Sequence, residues 1–465
     1  MMKRAYALDA LRGYAILTMV LSATIAGSIL PAWMYHAQTP PPDHVFDPSI
    51  AGLTWVDLVF PFFLFAMGAA FPFSIGKKYD AGESRLKLSF DAVKRGVKLA
   101  FFAIFIQHFY PYALSNPQDI RAWLLAISAF VILFPMFMRI PLKIPFWAHL
   151  IIKLGAYLVA LLMLFSTSYI DGQSFNLYHS NIIILLLANM AFWGAIIYIY
   201  TIHNRILRIG ILIFLLGIIC GSKVEGWQRF IFDFTPCPWL YKFDYLKYLF
   251  IVLPGSIAGE YLLKWMRNQN SDSQIDESQI KAIGVLLVAL ALIVGNLICL
   301  YNRWVVANLG LSVVLLIIGF LLLRKKQGVF CFWRELFVFG GAMLLLGLCL
   351  EPSEGGIKKD PATFSYFLVT SGLGCMALII FHILCDYFSF VKSTRFLVMT
   401  GQNPMIAYVA GDLLIMPLLG ICGVTPFLFH LHTNVWLGFI QGIILTFLSL
   451  SVTLFFTKIR WFWKT

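Results

Sequence analysis

In "PPPDHVFDPSIAGLTWVDLVFPFFLFAMG" (residues 40–68) a polar, proline-rich stretch carrying His44 runs straight into an apolar one that contains Asp57. Placing a carboxylate inside a membrane helix costs about 2.5–3.5 kcal/mol at the helix centre, so such a residue calls for a partner or a task. Pro40, Pro41, Pro42 and Pro48 stiffen the preceding segment and keep it from becoming helical. A stiff loop of this kind is expected to fold back over the helix mouth and bring His44 to Asp57. The carboxylate would then orient the imidazole, and His44 would move protons near neutral pH. Simple solvation of a loop histidine is the plainer alternative, and His36, eight residues upstream, competes for the same role.

A second pair lies in "LDALRG", where Asp9 and Arg12 are three residues apart and share a helix face. They can form a local ion pair, or Arg12 can present its guanidinium fork to a phosphate-bearing ligand. The acids Glu260, Asp386 and Asp412 also fall in or beside apolar runs. Together with Asp57 they could line a proton or substrate pathway in a transporter.

The elements that must hold these residues are legible in the composition. Of 465 residues, 60% are hydrophobic and 12% charged, with a mean hydropathy of +0.83. A bilayer core needs about 20 apolar residues per helix. On that ruler fourteen candidate spans lie near 12–32, 54–76, 96–114, 121–138, 147–166, 182–201, 206–221, 247–263, 282–300, 305–323, 330–350, 363–384, 396–419 and 434–457, of which the seventh is short and the eleventh carries Arg334 and Glu335. The expected fold is an all-α polytopic membrane bundle of about 12–14 transmembrane helices. Alternating hydropathy is absent, which excludes a β-barrel. The polar run 267–281 separates two helix sets within a single domain, 1–465. No internal repeat crosses it, which weighs against a transporter built from repeated halves.

The net charge of +13 does not point to nucleic acid. With the N-terminus placed inside, most of the 35 lysines and arginines fall at inner ends of the spans. That asymmetry assigns both termini to the cytoplasm. The opening "MMKRAYALDALRGYAILTMVLSATIAG" reads as the first membrane helix rather than a cleaved signal, because its apolar run is long and the chain soon inserts again. The eight cysteines show no metal-binding spacing and read as reduced core thiols; no metal is expected.

"LDALRGYAILTMVL" followed by "GLTWVDLVFPFFLFAMG" resembles the start of the heparan-α-glucosaminide N-acetyltransferase family and its bacterial relatives among the transmembrane acyltransferases. Those proteins share Asp-x-x-Arg-Gly near the first helix and Gly-Leu-Thr-x-x-Asp-Leu-Val-Phe-Pro at the second. "GGIKKDPATFSYFLVTSGLG" (355–374) is similar to the family's Asn-Lys-x-x-x-Thr-x-Ser-Tyr segment, and "GQNPMIAYV" (401–409) to its late Gly-x-Asn-x-x-x-x-Tyr helix. The resemblances occur in family order at both ends of the chain.

The resemblance implies acetyl transfer from acetyl-CoA, as co-substrate on the cytoplasmic side, to an amino sugar on the far side of a bacterial inner membrane. O-acylation of a cell-surface glycan is the neighbouring possibility. The family's catalytic histidine lies just before the Gly-Leu-Thr; here His44 stands eight residues before Gly52. On this reading His44 is the base and Asp57 its partner, while Asp9, Arg12 and Asn403 lie on the donor path. Thr54, Lys358 and Lys359 face the acceptor, with Asn403 or Thr54 meeting the oxyanion. The partners are then a sugar or glycan acceptor and the lipid bilayer, and the chain could pair as a homodimer. Reporter fusions at Met1 and Thr465 should both signal a cytoplasmic location; an outer signal from either would reverse the side assigned to Asp57.

Overall fold

The computed structural model describes residues 4–25, 29–138, 145–268, 279–324, 328–431 and 434–464. Most of the polar run 267–281, together with Met1 and Thr465, lies outside them. The described residues form an all-α, multi-pass membrane protein with no strand. Its long helices are α1 (Tyr6–Thr24), α2 (Trp55–Asp80), α3 (Arg85–Phe109), α4 (Ile120–Phe137), α5 (Phe146–Ser166) and α6 (Ile182–Tyr200). There follow α7 (Arg205–Gly221), α8 (Phe243–Asn268), α9 (Gln279–Tyr301), α10 (Val305–Leu322), α11 (Gly328–Glu354) and α12 (Phe364–Tyr387). The last three are α13 (Val391–Gln402), α14 (Pro404–Ile421) and α15 (Val435–Lys458).

Eleven of these are long and apolar enough to cross a membrane. The other three expected spans are occupied by α1, α3 and the 17-residue α7. Several boundaries differ from expectation, among them α3, which runs over Arg85–Phe109 against an expected 96–114. The first helix starts at Tyr6 and ends at Thr24 rather than reaching residue 32. The expected span 396–419 is broken at Asn403, because Pro404 has no N–H to continue the ladder and instead opens α14. The eight cysteines are all free thiols.

Burial sorts the helices into a centre and a rim. Within its most apolar window α12 is 89% buried and α2 and α8 are each 72% buried, whereas α5 and α10 are 17% buried and present most of their surface outward. Apolar chains cannot sort by hydrophobicity in lipid, so close backbone contact has to hold the centre together. The α2–α8 crossing shows how. A Cβ on Gly68 would lie 2.0 Å from the Val252 carbonyl oxygen, one on Gly255 2.3 Å from that of Phe65, and one on Gly259 2.2 Å from that of Ala69. Gly255 and Gly259 form a Gly-x-x-x-Gly face that lets the two backbones touch. The α1–α13 contact repeats the device, with Gly13 against the Leu397 carbonyl and Gly401 against that of Asp9.

Backbone atoms cannot swing aside as side chains do. Gly259→Val should therefore destabilise the detergent-solubilised protein by about 3 kcal/mol or prevent folding, read as lost melting temperature or lost monodisperse material. In α7 a Cβ on Gly210 meets nothing within 4 Å, and Gly210→Ala should be neutral or stabilising by up to about 1 kcal/mol.

Candidate functional site

Thr54 caps α2, and Asp57 is the third residue of its first turn, so the pair forms a capping box. Asp57 Oδ2 accepts from the Thr54 N–H at 3.0 Å, the Thr54 hydroxyl at 3.0 Å and the Ala37 N–H at 3.2 Å. The other oxygen, Oδ1, lies 2.6 Å from Nδ1 of His36. An ionised carboxylate only accepts, so the proton on that imidazole sits on Nδ1 and Nε2 carries the lone pair. The Asp57 side chain is 3% exposed and that of His36 39%. The carboxylate is sealed in while the imidazole can be reached from outside.

Three further contacts fix this mouth. The Tyr366 hydroxyl of α12 donates to the Asp57 backbone carbonyl at 2.9 Å. Gln38 and Asp360 clasp the two loops: the Gln38 amide donates to the Asp360 carbonyl, and the Asp360 N–H donates back at 2.9 Å. The Gly52 N–H donates to the Ile357 carbonyl at 2.9 Å. Behind the clasp Glu351, 1% exposed, is paired with Arg303 and accepts from the Ile357 N–H at 3.2 Å.

The clasp delivers Lys359, whose Nζ lies 3.1 Å from His36 Nδ1 and 3.2 Å from Nε2. Near-equal distances to both ring nitrogens put the ammonium across the imidazole face rather than along either lone pair. Burial pulls the Lys359 ammonium below the usual lysine range, while Asp57 and Asp360 pull it back up. Asp57, His36 and Lys359 thus form a chain of carboxylate, imidazole and amine at one end of the bundle. Such a chain can accept a proton at Nε2 and offers a positive charge beside it.

The expected pairing of His44 with Asp57 is not what the fold makes. His44 sits in a turn with φ 49°, donates from Nδ1 to the Thr39 carbonyl at 3.1 Å, and sets its ring edge-on to Tyr35 at 4.5 Å. The Ala37 N–H docks on Asp57, so the residue just before it reaches the carboxylate and the proline turn that follows carries His44 away. Thr54 spends its hydroxyl on Asp57. Lys358 bonds through its N–H to the Thr363 hydroxyl at 3.1 Å and does not join the chain.

Asn403 is also placed elsewhere. It is wholly buried, donates to the Trp461 carbonyl at 2.8 Å and accepts from the Trp463 N–H at 3.2 Å. Its neighbour Gly401 touches Asp9 near the start of α1, whereas the loop bearing His36 leaves the far end of that helix. Fifteen residues of helix separate Asp9 from Thr24, about 22 Å of rise. Asn403 therefore cannot serve an oxyanion at His36. Asp9 pairs with Arg4 at 2.7 Å and Arg12 at 3.5 Å, and Arg12 donates to the Gly401 carbonyl at 3.3 Å.

Of the remaining acids, Glu260 is paired with Arg205 at 2.6 Å and Arg208 at 2.8 Å. Asp386 accepts from the Ala7 N–H in the first turn of α1 at 3.2 Å. Tyr366 and the Gln38–Asp360 clasp had no separate signal in the sequence, although Tyr366 ends the quoted Thr-x-Ser-Tyr segment.

Asp57→Ala strands the His36 Nδ1–H, the Thr54 N–H and hydroxyl and the Ala37 N–H together. Each hydrogen bond to a charged acceptor contributes about 1.5–3 kcal/mol. The loop 29–54 should then detach, read as cysteine labelling at Gln38→Cys that rises at least fivefold over the Asp57-containing control.

A family model described as a domain of unknown function, DUF5009, matches residues 4–262. The match runs from the start of α1 into α8 and includes His36, Thr54 and Asp57, though not Lys359. No protein of curated function matches the sequence. More than half of the chain lies within that match, and the protein belongs to the DUF5009 family.

Proposed function

We propose that the protein is a membrane-embedded acyltransferase that moves an acetyl group from cytoplasmic acetyl-CoA to an amino sugar or other glycan acceptor at the outer face of a bacterial inner membrane. The observation that carries this reading is the Asp57–His36 pair, with a sealed carboxylate fixing the tautomer and Nε2 left at a reachable mouth. The motif resemblance at both ends of the chain supplies the reaction class.

A thioester is already activated, so the enzyme has to place the acceptor and manage one proton. The neutral amine or hydroxyl of the acceptor attacks the thioester carbonyl as His36 Nε2 takes its proton. The tetrahedral intermediate collapses with loss of the C–S bond, and the CoA sulfur recovers the proton from His36. Asp57 stabilises the imidazolium between these steps. Lys359, across the ring, supplies positive charge for the oxyanion, the part first assigned to Asn403 or Thr54.

At the Asp9 end, Arg95 lies within electrostatic reach of Arg12, and its buried Nε has no hydrogen-bond partner among the described residues. Two guanidinium groups there suit the donor's phosphates. The thioester arm would then have to run inside the bundle along α1. Amine and hydroxyl acceptors differ only in which proton His36 removes.

With purified protein, [14C]acetyl-CoA and glucosamine or a glycan acceptor, His36→Ala should lower turnover at least 1000-fold and His44→Ala less than threefold. Asp57→Asn should reduce kcat at least tenfold with KM within threefold, because its task is exerted in the transition state. An active His36→Ala enzyme would refute the assignment, and acetyl transfer absent from the wild type would refute the reaction.

A further inference from the structure

Asp412 is the ninth of the eighteen residues of α14, Pro404–Ile421, and so sits at the middle of a membrane span. The backbone there is a π-turn, Gly411–Ile415, a local widening found often at functional sites. The Asp412 side chain is exposed, and it has neither a hydrogen bond nor an ion pair among the described residues. An ionised group at that depth is not left facing lipid tails, so its exposure marks a polar crevice reaching the centre of the bundle.

The walls of the crevice are tyrosines. Tyr408 lies four residues before Asp412 on the same helix face. Tyr110 and Tyr112, just beyond α3, lie within electrostatic reach of Asp412 from across the gap. Tyr110 is 4% exposed, yet its hydroxyl also makes no hydrogen bond among the described residues. A polar ladder holds the rest in place. The Tyr408 hydroxyl donates to Asn181 Oδ1 at 2.9 Å, Asn181 Nδ2 to Gln107 Oε1 at 3.4 Å, and Gln107 Nε2 to the Tyr112 hydroxyl at 3.1 Å. The ladder contains no cation.

We propose that this crevice is a binding site for an organic ammonium group carried on a hydroxylated ring, with Asp412 as the counter-charge and Tyr110, Tyr112 and Tyr408 as its walls. A carboxylate with no cation of its own needs one from the ligand, and an ammonium also gains from aromatic faces. The spare Tyr110 hydroxyl and the amides of the ladder can meet ligand hydroxyls. Identifying the ligand as the amino-sugar acceptor rests on the acetyltransferase reading above. Held on Asp412 the amine is protonated and unreactive, so the site captures and selects the acceptor, and acylation follows only after the amine moves to His36. Asp412 is thus a specificity residue that favours amino sugars over neutral ones.

The test is calorimetric titration of the full-length protein in nanodiscs at pH 7 with D-glucosamine, and with glucose and N-acetylglucosamine as neutral controls. Wild type and His36→Ala should bind glucosamine at least tenfold more tightly than glucose. Asp412→Asn should lose that preference, and Tyr110→Phe, a gentler change, should weaken glucosamine about threefold. In the transfer assay Asp412→Asn should raise KM for glucosamine at least tenfold with kcat within threefold. Equal affinity for glucosamine and glucose in the wild type, or unchanged glucosamine binding in Asp412→Asn with a normal melting profile, would overturn the proposal. Asp412-dependent binding in a wild type that transfers no acetyl group would instead leave this site standing and remove the acetyltransferase reading.

Discussion

The buried carboxylate of Asp57 is the constraint around which the rest of this end of the bundle is arranged. It accepts four hydrogen bonds: two from Thr54 at the cap of its own helix, one from the Ala37 N–H in the loop that leaves α1, and one from the His36 imidazole. A charge with four donors is tolerable where a bare one is not. The same bonds that make it tolerable fix the loop, the tautomer of His36 and the start of α2. Structural and chemical roles are therefore not alternatives for Asp57. The capping box orients the carboxylate, and the oriented carboxylate orients the histidine.

That arrangement is useful only if α2 cannot slide. Its glycine-lined crossing with α8 and its neighbour α12 supply the rigidity. Backbones in contact leave no side chain that could repack to absorb a shift. Tyr366 then ties α12 to the backbone carbonyl of Asp57 itself. Lys359 arrives on the loop leading into that same helix, so the two clasped loops that carry the cation and the imidazole are both anchored on one rigid pair of helices.

Charge is distributed unequally along α1. At one end Arg4, Arg12 and Arg95 outnumber the carboxylates Asp9 and Asp386. At the other, Asp57, His36 and Lys359 form a compact chain. At the midpoint of α14 lies Asp412, with no ion pair among the described residues. The basic surplus, the carboxylate–imidazole–amine chain and the Asp412 carboxylate are three different electrostatic environments, kept distinct by their separation along the bundle, since a low-dielectric interior screens charge poorly.

Composition together with the absence of alternating hydropathy determined that this is an all-α polytopic membrane protein, since only helices or closed barrels satisfy the backbone of a chain this apolar in lipid. Hydropathy placed a helix at each of the fourteen expected spans, and the cost of a buried charge singled out Asp57. Boundaries were less legible: α1 stops at Thr24 and the span near 396–419 splits at Pro404, because capping and proline chemistry, not hydropathy, end helices. Only the tertiary structure chose between His36 and His44. Both are titratable loop residues before the same carboxylate, and the choice depends on which backbone N–H docks on Asp57, a contact with no local sequence signal. The same holds for Asn403 and Lys359. Sequence motifs brought both into one site, but the chain carries Asn403 to the Asp9 end and Lys359 to His36, since helix direction and loop clasps decide proximity across hundreds of residues.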